Sequence, residues 1–410
     1  MSSTLSWLDH SERDRRRALD VIDLFRERET RDELGIGSVR DAFADMLFPA
    51  TSTIQTRAKY LLFIPWTYME LERLRAPSSS VTARARREEI SLVDVLAESD
   101  DQDGVIGIQA RGELKRLPSN VYWLGLNRLG IREFSGSQPQ YHRNLDNYYI
   151  RMDTYGRARR AGEEDGHSGG FRPNWHPGIP PRPEDFPREA SLKLTRHEAE
   201  YLHERILANA PGTFLAYLVG RREPFETTRL PWDERLSSAV PANVARQLTH
   251  ARAFSEVMHG AALLYNLMLA EAANNDELIA DYRKRVEEWQ TNLAKRGREL
   301  SEWDRREFWS VVTSDGARIH PATKAFINGW LNCAIGRDDA EDIRDDKDAR
   351  RLISRRERSI KRDRARLHNR RALELWSGEA GTAQLTYRWT QAQRIVLDIL
   401  EGLSDGDADA

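Results

Sequence analysis

Apolar residues recurring three and four positions apart predict helices over much of the chain. In the N-terminal part, Leu19, Ile22 and Phe25 lie within an Arg/Asp/Glu surface from Ser11 to Glu29, and Val39 to Phe48 repeats the pattern until Pro49 ends it. Ser52 with Gln55 three later reads as a capping box that opens a helix from Thr53. Its apolar positions Ile54, Ala58, Leu61, Leu62 and Trp66 keep helical spacing, with a kink expected at Pro65. A further helix is predicted from Arg84 to Glu98. Gly104-Val-Ile-Gly-Ile108 is the clearest strand candidate. A basic turn (Arg111, Lys115, Arg116) follows, and Ser119 can cap a short helix bearing Tyr122, Trp123 and Leu126. Helices, one strand and a basic turn predict an α+β module over residues 1–155, an order that a winged-helix-like fold would satisfy.

Residues 156–190 change character: six glycines and six prolines (173, 177, 180, 181, 183 and 187) fill a third of the stretch, as in a linker or functional arm. From 191 to 404 the pattern is helical again. Thr195 with Glu198 forms a second capping box. Asn243–Ala273 carries an apolar core around Phe254, Ala261, Leu264, Leu267 and Met268. Asp276–Leu300, Thr323–Ile335, a charge-dense stretch at 338–371 and Tyr387–Leu403 follow, then an acidic tail at 405–410. The expectation is a mainly α protein, an α+β N-terminal module joined to a C-terminal helical domain.

Composition narrows the class. The chain has 410 residues, 40% of them hydrophobic and 31% charged, with 11 Trp, 12 Tyr and 12 Phe, enough apolar material for sizeable cores. No run reaches the ~18 apolar residues of a membrane span, so no membrane partner is expected. The single cysteine, Cys333, forms no internal disulfide, and no signal-peptide core is visible, so a cytoplasmic location is expected. A net charge of −2 argues against a global attraction to nucleic acid, although 55 of the 63 basic residues are arginine.

Motifs for phosphate loops, dinucleotide turns, zinc proteases, nucleophile elbows and paired thiols are missing, and no cofactor is expected. Glu200-x-x-His203 and Glu256-x-x-His259 each place a carboxylate and an imidazole on one helix face, as di-iron bundles do twice. Glu271 with Glu287 or Glu288 would complete such a set, but a solvated helix face explains these residues more simply. Asp345-x-Lys347 echoes a nuclease element but lies in a charge run. The sharpest signal is 350–371, with eleven basic and two acidic residues directly after an acidic block. Arg355, Arg356, Arg358, Lys361, Arg362, Arg364 and Arg366 would lie along a phosphate backbone, or pair with the acidic block or across a homo-oligomer. Lys115, Arg116 and Asn120, on a turn before a helix, are the second phosphate-binding candidates, beside Arg57 and Lys59.

The strings Trp7–Arg17 (WLDHSERDRRR), Arg31–Gly37 (RDELGIG), Thr51–Tyr60, Lys115–Trp123 and Ala262–Glu271 together resemble an uncharacterised bacterial domain-of-unknown-function family over nearly the whole chain. That resemblance implies a gene found in phage-defence islands near helicases and phospholipase-D-like nucleases, and it brings no catalytic residues. The resulting expectation is a non-enzymatic, DNA-associated component of an anti-phage system that works with a nuclease or helicase subunit. The alternatives are a protein–protein scaffold and, last, a helical-bundle metalloenzyme.

Overall fold

The structure is a computed structural model that describes residues 32–161, 171–335 and 342–404. The predicted helix at Ser11–Glu29 and the acidic tail lie outside the described residues. The main helices are α1 (Gly37–Leu47), α2 (Tyr60–Arg73), α3 (Val81–Leu96), α4 (Pro118–Arg128), α5 (Gln138–Ala161), α6 (Arg196–Asn209), α7 (Phe214–Gly220), α8 (Ala242–Ala272), α9 (Asp276–Ala294), α10 (Arg305–Val312), α11 (Pro321–Ile335), α12 (Lys347–Lys361) and α13 (Trp389–Ser404). The protein is mainly α. Among the described residues there is no strand, only an isolated antiparallel bridge between Arg132 and Trp175.

The expected α+β module and its winged-helix-like arrangement are therefore corrected. Residues 104–108 form turns because Gly104 and Gly107 take positive φ (84° and 83°), which breaks a pleat. Side chains hold the turn: Thr56 Oγ1 donates to the Gly104 carbonyl at 2.6 Å, and the Ile106 amide donates to Tyr60 Oη at 2.9 Å. The Ser52/Gln55 box likewise closes a turn rather than a helix. Gln55 Oε1 accepts from the Ser52 amide, and helix α2 begins only at Tyr60 and runs unbroken past Pro65. The Thr195/Glu198 box does open α6, with both reciprocal bonds made.

The described residues form two compact units, one within 43–249 and 386–404, the other within 32–42 and 250–385. In the first unit α13 packs on α6 and α7, and α2 packs on α3 and α4. Helix α2 is apolar nearly all round, with Leu61 to Trp66 buried. The Gly/Pro-rich stretch from 171 is packed into this unit: Trp175, Ile179 and Phe186 are buried, and Trp66 Nε1 donates to the Pro180 carbonyl at 2.8 Å. Arg57 and Lys59 are structural, not phosphate ligands. Arg57, 2% exposed, pairs through Nε with both Asp398 oxygens at 3.0 Å and through Nη1 with Asp101, while Lys59 pairs with Glu198. In the second unit the segment of α8 from 250 onward is buried at Phe254, Ala261, Leu264 and Leu267. Gly260 lets α9 approach, since a Cβ there would sit 2.2 Å from the Trp289 ring.

A polar chain crosses the interior of the first unit. Glu89, 1% exposed, accepts from the Ser119 amide (2.8 Å) and hydroxyl (2.7 Å); Gln138 Nε2 bonds Ser119 Oγ and Tyr68 Oη; Tyr68 meets His142, whose other ring nitrogen meets Thr82. Glu89 thus caps the N-terminus of α4 from a neighbouring helix. Ser119, expected as that cap, instead sits inside the first turn.

Burial pushes the Glu89 carboxyl up from 4.5 to about 7 and the His142 imidazole down from 6.5 to about 4. Between those values the folded state holds more protons on Glu89 than the unfolded chain, so the Glu89 contribution to stability falls as pH rises through that window. The folded state holds fewer protons on His142, so its contribution falls as pH drops through its own window. The two slopes oppose each other. The stability of Glu89→Gln relative to the parent should therefore grow from about pH 5 to about pH 7, and that of His142→Gln should grow as pH falls below about 6.5, both read from urea midpoints. Asp398→Ala, which leaves the buried Arg57 guanidinium with Asp101 and the Asp103 carbonyl on Nη1 and nothing on Nε, should cost about 3 kcal/mol in the same assay.

Candidate nucleic-acid interface

The basic segment is built on α12. Asp346 caps it, accepting from the Asp348 and Ala349 amides at 2.7 and 3.1 Å, so the expected 338–371 helix begins only at Lys347. Asp345, just before the cap, pairs with Arg283. Ala349, Ile353 and Glu357, four apart, form the buried edge. Arg351, Arg355, Arg358 and Arg362 follow on the exposed side at steps of four, three and four. Placing basic residues toward the C-terminal end also suits the helix dipole.

Glu357 is fully enclosed, and its carboxylate organises the turn after the helix. It accepts from Tyr265 Oη at 2.6 Å and from the amides of Arg366 and Leu367 at 2.7 and 3.1 Å. The chain reverses through Arg362, at φ 51°, and a short 3-10 turn to Arg364. Glu33 takes both Lys361 Nζ and Arg366 Nη1, and Lys361 Nζ also donates to Tyr265 Oη at 2.9 Å. For Arg366, burial lowers the pKa, but Glu33 and Tyr265 together offset it and leave the group above its usual value.

Four of the basic residues from 350 to 371 are thus committed to the interior. Arg350 makes a bidentate pair with Glu271 at 2.6 and 3.0 Å. Arg356 donates to the Leu34 and Gly35 carbonyls and to Thr323 Oγ1 at 2.8 Å, over the Phe326 ring. Burial lowers its guanidinium, with only Asp32 opposing. Lys361 and Arg366 hold Glu33. Arg351 and Arg370 make exposed pairs with Asp348 and Glu374, which hold a cation only weakly. Arg355, Arg358, Arg362, Arg364 and Arg371 are exposed, and no described residue pairs with them. The short helix Arg370–Glu374, capped by Asn369, carries the exposed Arg371.

The second group of candidates divides differently. Lys115 is exposed. Arg116 is half-buried and engaged. Asn120 acts in the α4 cap, its Oδ1 accepting from the Leu117 amide at 3.1 Å and its Nδ2 bonding Gln138. Tyr122 and Trp123 are core residues. These residues belong to a different compact unit from 355–371.

The metal reading finds no set of ligands. Among the described residues no group of three or more His, Cys, Asp or Glu could hold an ion. Glu200 pairs with Arg196, Glu256 with Arg252 and Arg296, Glu271 with Arg350, Glu287 with Arg344, and His259 Nε2 meets the Thr382 carbonyl at 3.0 Å. His203 is buried with its Nε2 unbonded. No helix of the described residues is long and apolar enough to cross a membrane.

A family model described as Family of unknown function (DUF6361) matches residues 1–402. Neither the curated proteins nor the solved structures gave a match. Glu357→Gln should loosen the basic turn without emptying its surface of charge. The expected loss is about 2 kcal/mol of stability, with faster hydrogen exchange at the Arg366 and Leu367 amides, since the neutral amide accepts more weakly.

Proposed function

The chain belongs to the family of unknown function DUF6361, and from its own surface we propose that it is a DNA-associated component that grips the phosphate backbone through the exposed arginines of α12 and the turn beyond it. The observation that carries this reading is the sorting of one basic segment. Arg350, Arg356, Lys361 and Arg366 are tied to carboxylates, carbonyls or a hydroxyl, while Arg355, Arg358, Arg362, Arg364 and Arg371 are exposed with no partner among the described residues. Arg351 to Arg362 spans ~16 Å at 1.5 Å per residue, long enough to face several phosphates of one strand. The turn fixed by Glu357 sets the backbone beyond α12, and forked donors suit phosphate oxygens. Backbone contacts of this kind position a protein without reading sequence. Work beside a nuclease or helicase in phage defence is the setting that the family resemblance adds to this proposal.

A scaffold that uses the same surface is the second reading. It is favoured by Ile360, 40% exposed, between Arg358 and Arg362, and by Leu375, 85% exposed, just past Arg371. Reversal of Arg355, Arg358 and Arg362 to Glu separates the two. As a backbone binder the variant should keep its fold and assembly but bind duplex DNA at least about a hundredfold more weakly at low salt, with the slope of log affinity against log salt shallower by about three. Loss of an oligomer or protein partner with DNA affinity unchanged would select the scaffold.

A further inference from the structure

The first unit carries a second exposed surface, on α5, with a different chemistry. Arg143, Asn147, Arg151 and Tyr155 follow at steps of four, and all are exposed. That row advances ~6 Å per step along the helix. The acidic residues of the same helix are taken up elsewhere: Asp146 accepts from the Ser78 amide at 3.0 Å, and Asp153 forms a forked pair with Arg75. Arg143, Arg151 and the neighbouring Arg172 have no partner among the described residues.

The row ends on stacked rings. Phe171 packs against the buried Tyr148 ring at 5.3 Å and against Tyr155 at 5.8 Å with planes 28° apart, leaving Tyr155 40% exposed. Its other end meets an open cavity of about 400 Å³ lined by Phe134, Gln140, Arg143 and Asn144. The guanidinium of Arg132, 2% exposed, donates to the carbonyls of Trp123, Phe134 and Gly136, and no carboxylate among the described residues pairs with it.

We propose that this face of α5 binds single-stranded nucleic acid, with Arg143 and Arg151 on phosphates and an unpaired base stacked on Tyr155. Two cations on a row that ends on a partly exposed aromatic ring suit a strand whose bases are free, because every base has a face to stack. A duplex offers the same phosphates but keeps its bases paired. This surface is independent of α12, and either can fail without the other.

The test is fluorescence anisotropy of the full chain at low salt, with a labelled oligothymidine and a duplex of equal length. Tyr155→Ala should weaken oligothymidine at least about fivefold, the lower end of a single stacked base, and leave the duplex within about twofold. Tyr155→Phe should bind as the parent does, since the ring face is kept. Arg151→Glu should weaken oligothymidine, while Arg355→Glu on α12 should act chiefly on the duplex. Parent protein that does not bind oligothymidine overturns the proposal. So does Tyr155→Ala that binds it unchanged, or that loses both probes equally.

Discussion

A carboxylate removed from water must be met by donors or it destabilises the fold by several kcal/mol. Glu357 meets that demand with Tyr265 Oη and two backbone amides nine and ten residues further along. To deliver those amides the chain must leave the helix at Arg362 and double back, and it does so at a positive φ that few non-glycine residues adopt. That reversal brings Arg366 and Lys361 onto Glu33 and leaves Arg355, Arg358, Arg362 and Arg364 outside. One enclosed acid thus sets the turn that brings Arg366 inward and leaves Arg362 and Arg364 exposed.

The other unit obeys the same constraint with different partners. Glu89 is satisfied by Ser119 at the start of α4, Asp398 by Arg57 and the Ala58 amide, and Glu72 by Tyr141, Asn174 and Trp175. Each ties segments far apart in sequence, up to 341 residues for Arg57 and Asp398. In a chain with 31% charged residues, these buried pairs fix which helices meet, and the charges they do not consume define the surface. The two proposed surfaces are such remainders. On α12 the remainder is charge alone, suited to a phosphate backbone; on α5 it is charge beside an aromatic ring, suited to a strand with free bases.

The helical repeats were legible where packing and propensity agree. Val39–Phe48, Asn243–Ala273 and the Thr195/Glu198 box lie where helices form. Helix α5 escaped notice because its apolar residues are tyrosines among polar ones, yet Tyr141, Leu145, Tyr148 and Tyr149 are buried at helical spacing and held the signal. The Gly104–Ile108 run looked like a strand because valine and isoleucine favour pleats. Its glycines adopt a backbone that a pleat excludes, and distant Thr56 and Tyr60 hold the turn.

The sequence alone determined the helical class, the Thr195/Glu198 cap and the concentration of arginine at 350–371, because these depend on neighbours along the chain. It could not determine which of those arginines face solvent. Arg356 and Arg355 are adjacent, and only Leu34, Gly35 and Thr323, brought up by the fold, make the first a strut and leave the second free. Nor could it separate Arg57 from a phosphate ligand, since Asp398 lies at the far end of the chain. A charge has the same side chain wherever it sits. The burial and partner that decide its role come from residues far away in sequence, so the tertiary structure had to supply them.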